Sequence, residues 1–130
     1  MIGLRPRGWP LWLFRVMVTF AALSMFAQAA LAGGLLAGHF DMLALHRDNS
    51  TVSVLIVTAM TVAGVLLHRP GRGPSWPMWV SLVCLVVSVG QALLGYTRML
   101  SLHVPFGVLI TAALLLLLVW AWRPMTQESQ

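Results

Sequence analysis

The chain has 130 residues, of which 59% are hydrophobic and only 8% are charged, and its mean hydropathy is +0.88. Soluble domains carry about 25% charged residues, so this composition excludes an ordinary water-soluble fold and predicts a protein of the lipid bilayer. The net charge of +5 comes entirely from arginine. It would suggest nucleic acid as the partner of a soluble protein, but in a membrane chain it is better explained as an orientation signal.

Four apolar segments are candidates for crossing the bilayer, which takes about 20 residues of helix. The run from Leu114 to Trp120 is apolar without interruption, which favours helices over the alternating strands of a membrane barrel. The predicted fold class is therefore all-α, a transmembrane four-helix bundle that forms one domain over residues 1–130. The predicted helices span about residues 11–38, 43–68, 77–96 and 101–122.

The first apolar segment has an alternative interpretation as a secretory signal. Arg5 and Arg7 precede it, and the sequence Ala-Gln-Ala at 27–29 is similar to a cleavage site. However, the uncharged run from Val16 to Gly38 is longer than the usual signal core of about 7–15 residues. We therefore predict a membrane helix.

A pentapeptide occurs twice in matching places. Met-Leu-Ala-Leu-His at 42–46 recurs as Met-Leu-Ser-Leu-His at 99–103, and a glutamine, Gln28 or Gln91, precedes each copy. A loop rich in proline and glycine at 68–77 separates the two copies. This pattern predicts two repeated helical hairpins, packed so that the second and fourth helices are diagonal partners.

The arginines predict how the bundle is oriented. Most lie near the amino terminus, in the central loop and after the fourth helix, and only Arg47 and Arg98 fall on the other side. The positive-inside rule then places both termini in the cytoplasm, with the pentapeptides facing outward. The tryptophans mark the cytoplasmic side, as interfacial indoles should: Trp9, Trp12, Trp76, Trp79, Trp120 and Trp122.

Histidines near membrane depth are functional candidates. His46 and His103 lie at equivalent turns of diagonal helices, the arrangement that two axial imidazoles of one haem iron require. The alternative is that each is an interfacial residue bound to water or to a backbone carbonyl. His68 would be about 33 Å from His46 along the helix, too far for the same iron. His39 has no counterpart in the second repeat and is a lesser candidate.

Four further residues repeat around the two histidines. Met42 and Met99 each precede a histidine by four residues, about one helical turn. They could offer thioether ligands or pack as apolar side chains at the pocket edge. Gln28 and Gln91 could either form interhelical hydrogen bonds or orient a ligand.

Arg47 and Arg98 lie close to the two pentapeptides. They are candidate partners for haem propionates, because guanidinium groups bind carboxylates bidentately, with solvation or pairing of Arg47 to a neighbouring aspartate as the alternative. Arg15 is predicted to extend toward the cytoplasmic interface. Cys84 is the only cysteine, which excludes an internal disulfide.

The order of Gln28, small residues with glycine, the His46-Arg47 pair, Gln91 and His103 resembles one four-helix half of the haem A synthase family. The resemblance covers about residues 26–122 and extends to small four-helix bacterial membrane proteins. It implies that the two histidines ligate haem in the outer half of the bundle. The chain departs from the hydroxylating half of that family, which has a glutamate where Leu43 stands here.

These features predict a membrane protein that holds haem b noncovalently between two histidines and serves in electron transfer or haem handling. One alternative is a haem-free scaffold or assembly subunit. Another is a half-size haem A synthase-like oxidoreductase acting as a dimer. The expected partners are the lipid bilayer and a homodimer or larger membrane complex. A stand-alone enzyme is not favoured, and the absence of charged runs disfavours a channel.

Overall fold

The computed structural model describes residues 8–123, so Arg5 and Arg7 lie outside the described residues. It is all-α, as predicted. Each helix is long and apolar enough to span a bilayer, which makes the chain a multi-pass membrane protein. The helices are α1 (Trp9–Leu36), α2 (Met42–His68), α3 (Trp76–Tyr96) and α4 (Leu100–Trp122).

The predicted bounds differ most for α1, which was expected over 11–38. It begins earlier because Pro10 is tolerated in a first helical turn, where a backbone N–H has no helical partner. It ends at Leu36 because Gly38 adopts a left-handed φ of 93°. This conformation lets the His39 amide donate to the Gly34 carbonyl at 3.0 Å, which closes the helix end.

The α3 end closes in the same way without a glycine. Arg98 takes the left-handed position with a φ of 59°, and the Met99 amide donates to the Leu94 carbonyl at 2.9 Å. A residue with a Cβ pays about 1 kcal/mol or more in this conformation. The two turns at this end of the bundle therefore have the same hydrogen bonds, but the left-handed residue is glycine in the first turn and arginine in the second.

The helices pack in chain order, and α4 returns to contact α1. This arrangement puts α2 and α4 on one diagonal, as predicted. The α1–α2 interface is the most extensive of the four. Short connections between antiparallel neighbours are typical of such bundles.

The two ends of the bundle are packed differently. The six tryptophans lie at one end, here called the tryptophan end, and the buried apolar core fills that half, with Phe14, Val57 and Leu114 fully buried. The opposite end carries His46 and His103 and is called the histidine end. None of residues 25–52 or 92–109 there is fully buried. Side chains at the histidine end are therefore more exposed than those in the core of the tryptophan end.

Candidate functional site

His46 and His103 lie side by side at the histidine end. Their ring centroids are 6.2 Å apart and the ring planes are inclined by 65°. Each ring is half-buried, His46 on α2 and His103 on the diagonal helix α4. The structure thus brings the predicted pair together, although the residues are separated by most of two helices in sequence.

The His103 ring is fixed against α3. Its Nδ1 lies 3.0 Å from the Gln91 carbonyl oxygen, to which it donates. The ring also packs against Gly95, where an added Cβ would lie 3.2 Å from Cε1 of the histidine. A histidine that donates through Nδ1 carries its ring proton there and keeps a lone pair on Nε2. His103 therefore offers Nε2 as a ready ligand atom.

The His46 ring carries its proton on the same nitrogen but makes its contact through the other one. Asn49 donates to the Gln28 side-chain oxygen at 2.8 Å, so the Gln28 amide presents its NH₂ group to His46, with 3.5 Å between the two Nε2 atoms. His46 Nε2 accepts this contact, which leaves the ring proton on Nδ1. That Nδ1 is buried without a hydrogen-bond partner. A buried donor without a partner is costly, so a hydrogen-bond acceptor beside this atom would be favourable.

Gln28 and Gln91 each contact the histidine of their own hairpin. Gln91 Nε2 donates to the His103 carbonyl at 2.8 Å, which links α3 to α4. Its Oε1 is buried without a partner, as is the Ser88 hydroxyl three residues earlier on α3. Both predicted roles of the glutamines are therefore compatible with the geometry, since each one bridges two helices and also positions an imidazole.

Asn49 was missed by sequence reasoning, although it lies one turn after His46. Its amide contacts the Ser24 carbonyl at 3.1 Å as well as Gln28, and Ser24 and Ser53 share a hydrogen bond across the same helix pair. An asparagine within an apolar helix is itself a signal, because an unpaired amide is costly in hydrocarbon. These contacts tie α1 to α2 directly beneath His46.

Replacing Asn49 with alanine is expected to destabilise the protein by about 1–2 kcal/mol, because it removes the interhelical contacts below His46. The detergent-unfolding midpoint, followed by circular dichroism, measures this loss. Thr58→Ala is the matched control, since that hydroxyl is exposed and bonds only its own helix, to the Val54 carbonyl. Equal shifts in the two variants would contradict the role assigned to Asn49.

The remaining candidates at the histidine end have different positions. Met42 packs its sulfur over the bare Cα of Gly34 on α1, where a Cβ would overlap it. Met42 therefore packs between α1 and α2. Met99 immediately precedes α4 and is exposed, and both Arg47 and Arg98 are exposed.

The other two histidines do not join the pair. His39 is exposed in the turn between α1 and α2 at the histidine end. His68 ends α2 at the opposite end, where its Nδ1 lies 3.0 Å from the Gly73 carbonyl. His68 thus stabilises the central loop.

The donor set consists of two imidazoles, which could hold a haem. Within residues 8–123, no group of three or more His, Cys, Asp or Glu side chains could hold a metal, whereas structural zinc takes four protein ligands. Haem supplies four nitrogens and needs only two axial ligands. A metal–imidazole bond is about 2 Å long, so two rings on opposite sides of one ion have centroids about 6 Å apart. The observed spacing of 6.2 Å agrees with this value.

No family model matches the chain, and no curated protein or solved structure is similar enough to match it. The resemblance to haem A synthase stays a prediction, based on the residues around Gln28, His46, Gln91 and His103. What the chain does therefore has to be inferred from the geometry of its own residues.

Proposed function

We propose that this protein binds haem b noncovalently between His46 and His103 and serves in electron transfer or haem handling. The single observation that carries the proposal is the pair of neighbouring imidazoles on diagonal helices, whose ring centroids lie 6.2 Å apart. One further feature supports it: residues 25–52 and 92–109 at the histidine end include no fully buried side chain. Ligand sites in helical bundles are often formed by a few polar groups that come together between helices, as His46, Gln28, Gln91 and His103 do here.

Bound haem would supply one-electron redox chemistry, and His46 and His103 would be the residues that hold it. The chain's residues hold and orient those imidazoles. Gln91 fixes His103 through its backbone carbonyl, and Gln28, held by Asn49, contacts His46. With Leu43 where the hydroxylating family half has glutamate, the site offers no carboxylate at that position. This favours holding a redox group over hydroxylating it.

Arg98 is the proposed partner of a haem propionate, together with Arg47. Both side chains are exposed at the histidine end. A glycine at position 98 would adopt the left-handed backbone without strain, as Gly38 does in the other turn. The cost of keeping a residue with a Cβ there supports a role for the Arg98 side chain. Met99 would lie at the edge of the pocket, and Met42 would support it from α2, where it packs against Gly34 of α1.

We further propose that the protein lies in the bacterial inner membrane with its histidine end outward. The described arginines at the tryptophan end outnumber Arg47 and Arg98 at the histidine end; the former are Arg15, Arg69, Arg72 and Arg123. By the positive-inside rule, this asymmetry favours cytoplasmic termini. The haem would then exchange electrons, or be handed over, at the outer face. A second copy or a larger membrane complex would be the recipient.

Titration of haem into the purified, haem-free chain tests the proposal. The wild type is expected to bind one haem with a low-spin absorption spectrum, and the His46→Ala/His103→Ala double variant is expected not to. His39→Ala/His68→Ala is the matched control, because it also removes two imidazoles but leaves His46 and His103 in place. Equal haem binding by the two double variants, or no binding by the wild type, would overturn the proposal.

A further inference from the structure

Arg15 is held between α1 and α4 at the tryptophan end, whereas the sequence predicted only that it extends toward the interface. Its Nε donates to the Ala121 carbonyl at 2.7 Å, across the helix interface. Its guanidinium carbon lies 5.3 Å from the Trp12 ring centroid and 5.2 Å from that of Trp122. Cation–π attraction and the carbonyl at the negative end of α4 both favour the charge there.

The two rings are themselves held in place. They meet edge to face with centroids 5.7 Å apart. The Trp122 indole donates to the Thr19 hydroxyl at 3.1 Å, and that hydroxyl donates to the Arg15 carbonyl at 2.8 Å. The guanidinium is therefore oriented by contacts on several sides and is not a freely rotating surface charge.

The contacts that fix Arg15 use only its Nε–H and the faces of its guanidinium group. Four terminal N–H groups carry the fork geometry that suits phosphate. Acidic residues do not lie near this position in the described part of the chain, because Asp41 and Asp48 are both at the histidine end. Glu128 lies outside the described residues. The charge arrangement at this end favours an anionic ligand.

We propose that Arg15, flanked by Trp12 and Trp122, binds the phosphate of an anionic phospholipid. Indole rings prefer the headgroup level of a bilayer, which puts the guanidinium at the depth of lipid phosphates. About two to three turns deeper along the same helices, Leu23 of α1 and Leu115 of α4 are exposed and apolar. The surface therefore continues from a phosphate-binding group to a track that suits an acyl chain. This continuity favours a lipid over free phosphate.

Native mass spectrometry of the full chain in detergent, with phosphatidylglycerol or phosphatidylcholine of equal chain length, tests the proposal. The wild type is expected to retain phosphatidylglycerol about tenfold more strongly, and Arg15→Gln is expected to lose that preference. Arg123→Gln is the matched control, because it removes an exposed arginine at the same end and should keep the preference. Equal retention of the two lipids by the wild type would overturn the proposal, as would an unchanged preference in Arg15→Gln.

Two further experiments distinguish loss of binding from loss of folding, and a lipid phosphate from free phosphate. Arg15→Lys keeps the charge and a donor for Ala121 but lacks the planar fork, so its preference is expected to fall several-fold while helix content stays unchanged. If Arg15→Lys kept the full wild-type preference for phosphatidylglycerol, bidentate binding by Arg15 would be excluded. This outcome can be read even if Arg15→Gln fails to fold. Inorganic phosphate at millimolar concentration should not displace the lipid. Displacement would show that the site binds the free anion.

Discussion

Replacing His103 with alanine is expected to remove nearly all haem binding, whereas replacing His46 is expected to leave a weaker, high-spin haem complex. His103 donates through Nδ1 to the Gln91 carbonyl and so already presents Nε2 to a metal. His46 accepts from Gln28 through Nε2 and carries its proton on Nδ1. Either nitrogen of His46 can bind iron only after the Gln28 contact is rearranged. His103 is therefore the ligand that is already positioned.

Absorption spectra and haem titrations of the two single variants measure this difference. Replacing a residue that only orients a metal ligand typically lowers metal affinity by about 10–100-fold. Because His103→Ala removes the ligand itself, its loss of haem affinity is expected to exceed about 100-fold. The loss in His46→Ala is expected to be at least about tenfold smaller. Two variants with equal affinities and identical spectra would show that the hydrogen-bonding difference between the rings has no effect on ligation.

Replacing Gly64 with leucine is expected to destabilise the bundle strongly. An added Cβ at this position would lie 3.1 Å from the Met78 Cα and 3.6 Å from the Phe14 ring. The first of these atoms belongs to the α3 backbone, which cannot move aside as a flexible side chain can. A leucine would force α2 and α3 apart and unpack the tryptophan half, at a cost of about 3 kcal/mol or more.

Gly90→Leu is the matched control for that change. A Cβ there meets no heavy atom within 4 Å, and the position is exposed on α3. Leucine also favours a helix over glycine by about 1 kcal/mol. We therefore expect Gly90→Leu to keep or raise the detergent-unfolding midpoint while Gly64→Leu lowers it. A similar loss in both variants would mean that helix contact at Gly64 is not the cause.

The helices and the histidine pair could be predicted from the sequence because both depend on position along a helix axis. An apolar run fixes where a helix crosses the bilayer, and the repeated pentapeptide places His46 and His103 at equal depths. How each helix is rotated depends on packing against its neighbours. For this reason Met42 was a candidate ligand by spacing, yet it packs over Gly34.

The contacts of Arg15 and Asn49 could not be predicted for a related reason. Arg15 was expected only to reach the interface, but its partner Ala121 is 106 residues away in sequence. Asn49 gains its role from residues on α1 that only the folded hairpin brings close. The pentapeptide likewise did not reveal that the two rings have different hydrogen-bond partners, because those partners lie on α1 and α3 outside the repeated segment.

The central claim, that His46 and His103 together ligate one haem, is tested most directly by the low-temperature electron paramagnetic resonance spectrum of the oxidised, haem-loaded protein. We expect a low-spin ferric signal from two axial imidazoles, absent from the His46→Ala/His103→Ala variant and unchanged in His39→Ala/His68→Ala. A wild-type protein that stays colourless after haem is added would contradict the claim. So would a low-spin signal that persists when both His46 and His103 are replaced.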